Sequence, residues 1–300
     1  METASDVLSA HKARVERELE RVLPSAPQQV AAPRLWQAMR HAVMAGGKRL
    51  RPALALTAAE TVGAEAETAL PVAVALELIH TYSLVHDDLP CMDDDALRRG
   101  QPTVHVAFGE DVAVLAGDAL LTKAFEVLSD GRLVASAGAE RFARIVAEVA
   151  GAIGADGMVA GQILDMEAEG QNVPLEALEQ VHRHKTAALI RASVVAGALA
   201  GGGENSEIEA LRRFGESTGL AFQVVDDLLD AYASTEELGK PGGSDARNDK
   251  STYVALLGPR GCREHANALL QGALDTLNAC FGERGAALSE LARLLVNRTR

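Results

Sequence analysis

Positive charge is in short supply in this 300-residue chain: 29 Lys and Arg stand against 42 Asp and Glu, a formal net charge of −13. A nucleic-acid role resting on bulk positive charge is therefore disfavoured. Cysteine is scarce too. Cys91, Cys262 and Cys280 are too few and too scattered for a disulfide framework or a zinc cluster, so a reducing compartment is expected. The most apolar stretches, 71–86 and 186–200, are interrupted by Glu77 and Arg191. Neither reaches the ~18 to 20 apolar residues of a membrane span, so no span is expected. The opening METASDVLSAHKARVERELERVL has no apolar centre of the secretory type. A soluble, cytoplasmic protein is the expectation. Alternating strand patterns, low-complexity linkers and short-period repeats are lacking as well, which points to a single domain over 1–300.

What the chain does have is helical periodicity. Residues 5–22 place Val7, Leu8, Val15, Leu19 and Val22 near one face. Residues 69–86 are apolar nearly all round, as in a buried central helix. Further helices are expected over 34–45, 52–62, 109–129, 138–154, 157–168, 175–200, 206–232, 261–281 and 285–298, with Gly and Pro breakers between them. The predicted fold class is all-α.

Two acidic runs stand out against this background. Asp87-Asp88-Leu-Pro-Cys-Met-Asp93-Asp94-Asp95 follows the most apolar helix directly. Crowded carboxylates repel one another, and hard divalent cations such as Mg²⁺ choose carboxylate oxygens. A solvated helix end is the plain alternative. The second run is Asp226-Asp227-Leu-Leu-Asp230 within FQVVDDLLDAY. Asp226 and Asp230 are spaced i,i+4 and share a helical face, so they can share an ion. Asp87 and Asp93 are six apart, which an ideal helix puts on different faces; Pro90 should break the helix and can realign them. The cations are local. Lys48, Arg49 and Arg51 follow the Gly46-Gly47 pair, Arg98-Arg99 follow the first acidic run, and Lys185, Lys240 and Lys250 stand further on. Glycines permit close backbone approach, and Lys and Arg bind phosphate oxygens. The GxxxxGK[ST] spacing of a Walker loop is absent. Each cation alone reads as surface charge; together with the acidic runs they suggest diphosphate pockets.

In their order, GGKRLRP (46–52), HDDLPCMDDDALRRG (86–100), GQILDMEAEG (161–170), HKT (184–186), FQVVDDLLD (222–230) and LGK…DKSTY (238–253) resemble the trans-isoprenyl diphosphate synthase family, and within it the bacterial farnesyl diphosphate synthases. The resemblance covers nearly the whole chain. It implies an isoprenoid synthase-type helical bundle around a deep central cavity, usually a homodimer, acting on small-molecule isoprenyl diphosphates. By the same resemblance Asp87, Asp88 and Asp93 match the first aspartate-rich motif, and Asp226, Asp227 and Asp230 the second. The resemblance implies that the two motifs face each other and hold Mg²⁺, about three ions per site. Arg98, Lys185, Lys240 and Lys250 match the allylic diphosphate contacts, Lys250 following Asp249 where the family has glycine. Lys48, Arg51, His80 and Arg99 match the isopentenyl diphosphate site. Thr186 and Gln223 match positions beside the reacting carbons, and Asp165 an aspartate near the metals.

The implied reaction is head-to-tail condensation of isopentenyl diphosphate with dimethylallyl and geranyl diphosphates. Farnesyl diphosphate is the expected product, with geranylgeranyl or geranyl diphosphate as alternatives. Tyr82 lies five residues before Asp87, roughly 7.5 Å along a helix axis, with small Ser83 beside it. In the family an aromatic residue there goes with a C15 product; a packed core residue is the other reading. A terpene cyclase would carry a different second motif, and here its fifth and ninth positions are Asp230 and Ser234. An HD-type phosphohydrolase would use the pair His86-Asp87 but leaves GGKRLRP and DDLLD unexplained. A non-catalytic partner subunit would generally lack one aspartate motif, and both are present.

Overall fold

A computed structural model describes residues 4–25, 30–232 and 251–297. The chain forms α1 (Ala4–Val22), α2 (Pro33–Met44), α3 (Leu50–Thr61), a 3₁₀ turn (Ala66–Ala69) and α4 (Leu70–Asp87). A two-stranded hairpin follows, β1 (Leu97–Arg98) with β2 (Gln101–Pro102), then α5 (Val104–Phe108), α6 (Glu110–Leu128), α7 (Gly131–Ile153), α8 (Met158–Ala168) and α9 (Leu175–His182). A π-helical turn (Arg183–Ala187) leads into α10 (Ala188–Ala200), and α11 (Asn205–Tyr232), α12 (Tyr253–Phe281), a 3₁₀ turn and α13 (Ala286–Val296) complete the fold.

Two helices form the centre. The run from Leu70 through Ile79 is buried on every side because α1, α2, α3, α6 and α10 all pack on α4. Ala66–Asp87 is long and apolar enough to cross a membrane, yet 72% of its most apolar stretch is buried inside the fold. It is a core helix, and Glu77 within it is buried against Arg49. The second central helix, α10, is buried from Ala192 through Ala200 between α3, α7 and α11. Small side chains permit that packing: a Cβ at Gly197 would lie 2.1 Å from the Ala55 carbonyl oxygen of α3.

The all-α expectation holds, with local differences. The expected helix 175–200 is interrupted at 183–187, where Ala188 N–H bonds to Arg183 O five residues back. α7 begins at Gly131 and not at 138, because its two segments join across Gly138 at φ 77°. α12 begins at Tyr253 and bends at Gly258 (φ 66°) before Pro259, which explains why the periodicity emerges only after 260. The hairpin was not expected. Its turn residues Arg99 and Gly100 both have positive φ (54° and 74°), as a tight I′-type turn requires.

Candidate active site

The end of α4 sets the first wall. The chain breaks at Pro90 and folds back: Asp93 N–H donates to the Asp87 carbonyl at 2.8 Å, and Asp94 N–H to the Leu89 carbonyl at 3.1 Å. This return brings Asp87 and Asp93 to one cavity of about 300 Å³ despite their spacing of six. His80, Ser83 and Leu84 line the same cavity, completing an i, i+3, i+4, i+7 face on α4. From α11 come Phe222, Gln223, Asp226 and Asp230. The π-turn contributes Lys185 and Thr186, α8 contributes Met158 and Gln162, and Arg51 and Arg98 enter from α3 and the hairpin.

Burial dominates the electrostatics. It raises the Asp87 carboxyl to about 6; Lys185 opposes this and Asp93 adds to it. Gln162 donates to Asp87, and Lys185 donates to Asp165 at 2.5 Å. His80 is held well below the usual imidazole range, first by burial and then by Arg51 and Arg99. Burial also lowers the Arg99 guanidinium, partly offset by Glu77. A site that holds its imidazole neutral and crowds carboxylates beside arginines is set for a ligand carrying both signs, an anion with its own cations.

The carboxylates fit Mg²⁺ in a specific sense. Among the described residues no three metal-binding side chains are gathered into a ready cage. Mg²⁺ is commonly held by one or two carboxylates plus substrate phosphate oxygens, and Asp87 with Asp93, or Asp226 with Asp230, supply hard oxygens in pairs.

Several expected residues are placed elsewhere. Asp88 is buried and accepts from Arg98 Nε at 2.9 Å, while Arg98 Nη2 also reaches Asp95 at 3.0 Å. Asp227 is buried; it accepts from Gln223 Nε2 at 2.8 Å and from Tyr253 N–H at 2.9 Å. Gln223 in turn accepts from the Thr186 hydroxyl at 2.8 Å. Asp88 and Asp227 therefore hold the wall together from behind and are not part of the cavity lining. The Tyr82 ring is also off the lining: it is buried and packs edge-on against His86 at 5.9 Å. Arg99 donates to the Gly46 carbonyl, and Lys48 is exposed nearby on the same loop. Lys240 and Lys250 lie outside the described residues.

Gln162, Phe222 and Met158 had not been singled out. The GQILD run carried a readable signal for the first: Gln162 and Asp165 are three apart on one face of α8. The glycine before it is equally informative. A Cβ at Gly161 would stand 2.2 Å from the Lys185 backbone nitrogen. Gly161→Ala must push α8 off the π-turn that presents Lys185 and Thr186. Displacements near 1 Å at reacting groups cost about 10²-fold in rate, so kcat should fall by about that factor. Steady-state assays beside a thermal melt test this, and wild-type kcat in the variant would refute the contact.

Comparison with known proteins gives the following. A family model described as polyprenyl synthetase matches residues 32–290. The heterodimeric geranylgeranyl pyrophosphate synthase large subunit 1, chloroplastic, of Arabidopsis thaliana is 51% identical over 268 residues, covering 88% of this chain and 72% of that protein. The chloroplastic geranylgeranyl pyrophosphate synthase of Capsicum annuum is 51% identical over 263 residues, covering 87% and 71%. Among solved structures, a geranyltransferase from Helicobacter pylori complexed with magnesium and isoprenyl diphosphate superposes with a TM-score of 0.84 at 35% identity, covering 97% and 98%. One expectation is corrected. The cytoplasmic location is overturned by relatives at about 50% identity that are all named chloroplastic. The relatives do not single out a farnesyl synthase: these four are named geranylgeranyl synthases, whereas a solved structure from Zymomonas mobilis at 36% identity and a TM-score of 0.84 is named an FPP/GFPP synthase.

Proposed function

Because the chain belongs to the polyprenyl synthetase family and is a prenyltransferase, we propose that it condenses isopentenyl diphosphate head to tail with allylic diphosphates in the presence of Mg²⁺, with geranylgeranyl diphosphate as the main product. The observation that carries this reading is one cavity receiving Asp87 and Asp93 from α4, Asp226 and Asp230 from α11, and Arg51, Arg98 and Lys185 beside them. Homodimer formation is part of the proposal, supported by the adjacent apolar side chains Val114 and Leu115 of α6, 43% and 58% exposed.

Mg²⁺, when bound by Asp87, Asp93, Asp226 and Asp230, supplies Lewis acidity to the departing diphosphate. The protein does the rest by placement. Arg98, fixed by Asp88 and Asp95, and Lys185, fixed by Asp165, present positive charge to the leaving group as the allylic C1–O bond breaks. Arg51 and His80 in the cavity wall, with Lys48 and Arg99 at the adjoining Gly46-Gly47 bend, hold the second diphosphate, which stays intact. The isopentenyl double bond then attacks C1, and a proton leaves to the departed diphosphate. The Thr186–Gln223–Asp227 chain keeps the Gln223 amide in one orientation beside the reacting carbons. Leu84, Leu189, Phe222 and Met158 give the cavity apolar walls that keep water from the cationic carbon. No step requires a protein nucleophile.

The C20 product rests on two supports: the relatives' names, and a chain path bordered by small Ser83 while the Tyr82 ring packs toward His86. A C15 product is the second reading, favoured by the bulk of Tyr82 five residues before Asp87. Incubation with labelled isopentenyl diphosphate and each allylic primer, followed by product sizing, decides. The expected result is a dominant C20 product, unchanged in Tyr82→Ala. A C15 product that lengthens in Tyr82→Ala would establish the second reading.

A further inference from the structure

The loop between α2 and α3 carries a side chain to which the proposed mechanism gives no task. Arg49 adopts a left-handed backbone (φ 51°) and turns inward to 3% exposure. Its Nη1 donates to Glu77 Oε1 at 2.5 Å and its Nη2 to the Val43 carbonyl at 2.7 Å, while Nε lies 3.9 Å from Glu16 Oε1. Glu77 is itself 2% exposed, in the middle of α4. One guanidinium thus ties the last turn of α2, the start of α3 and the centre of α4.

Stability alone does not explain this arrangement. Burying two charges costs several kcal/mol per ion, and well-packed apolar replacements are often neutral or stabilising. What a planar fork adds over an apolar contact is direction. Both sequence neighbours of the fork matter to the diphosphate. Lys48 precedes Arg49, Arg51 follows two residues later, and His80 stands one turn beyond Glu77 on α4 in the cavity wall. Arg99 docks on the same loop: it donates to Gly46 O, and a Cβ at Gly47 would lie 2.8 Å from its guanidinium carbon. Four cations therefore crowd one short loop, and Glu77 is the buried counter-charge beneath them.

We infer that the buried Arg49–Glu77 pair is the positioning element of the isopentenyl diphosphate site, fixing where Lys48, Arg51 and Arg99 stand and so setting the KM for that substrate. The inference rests on the assignment of those cations to isopentenyl diphosphate. Two-substrate kinetics on the full chain separates the two. Arg49→Met/Glu77→Leu replaces the pair by apolar volume. It should melt near the wild-type temperature yet raise the isopentenyl diphosphate KM about tenfold, with kcat and the allylic KM within about twofold. Arg49→Lys keeps the charge without the fork and should give an intermediate KM. Glu77→Gln keeps the shape and should also raise the isopentenyl diphosphate KM, and it serves where the apolar pair does not fold. An unchanged KM in the pair variant or in Glu77→Gln, alongside a raised KM in Arg51→Ala, overturns the inference and leaves the site assignment standing. An unchanged KM in Arg51→Ala as well brings down the assignment itself. A parallel loss in kcat and both KM values reports general damage and also overturns the inference.

Discussion

Asp226→Ala should lower kcat by about 10³-fold, or about 4 kcal/mol of transition-state stabilisation, the scale seen when one electrostatic stabiliser is removed from a developing anion. The argument comes from placement. Asp226 is exposed at the cavity wall one turn from Asp230, so its loss removes half of an oxygen pair on α11. The fold should not suffer, because an exposed carboxylate among like charges contributes little to stability. Asp227→Ala is the informative contrast. Its carboxylate is buried and accepts from Gln223 and from Tyr253 N–H. Each donor left without an acceptor costs about 1–3 kcal/mol, so this variant should melt several degrees lower. Assays at saturating Mg²⁺ beside thermal melts separate the two adjacent aspartates. Near-normal turnover in Asp226→Ala would remove the second acidic run from the proposed mechanism.

Ser83→Phe should shorten the product from C20 to C15 and C10. Ser83 stands one turn before Asp87 on the cavity face of α4, about 6 Å along the axis from the carboxylate that marks the reacting end. A prenyl chain anchored by its diphosphate must grow past that position. A ring there would stop it. The substitution is mild for the fold, since the Ser83 hydroxyl bonds only locally, to the His80 carbonyl at 2.9 Å. Chromatography of dephosphorylated products is the measurement. An undiminished C20 peak would mean that the chain takes another path.

The sequence revealed most of this fold because long amphipathic or all-apolar periods leave few choices: α4 and α11 were legible almost to their ends. The hairpin at 97–102 was not, because two-residue strands carry no period and are held by a turn that tolerates Arg99 at positive φ. The π-turn was hidden for a related reason. Helical periodicity continues smoothly through 183–187, and one extra residue in a turn changes no residue type. At the site, spacing identified the carboxylates and cations, but not which way each one faces. Asp88 and Asp227 sit within the acidic runs and yet bond to Arg98 of the hairpin and to the Tyr253 N–H of α12, partners on other elements. Arg49 looked like one more surface cation in GGKRLRP and is instead nearly sealed from solvent. Single-helix patterns encode faces, whereas these contacts depend on the packing of several helices.

The tight reversal at Arg99-Gly100 has a mechanical consequence. Arg98 reaches toward Asp88 and Asp95, and Arg99 toward the Gly46-Gly47 bend. Adjacent α-carbons are about 3.8 Å apart whatever the surrounding helices do. The two side chains are thereby rooted one peptide unit apart, while their guanidinium heads are held by different elements, like the jaws of a caliper on one hinge. Relative motion of α4 and the loop between α2 and α3 would therefore change the distance between the heads while the roots stay fixed.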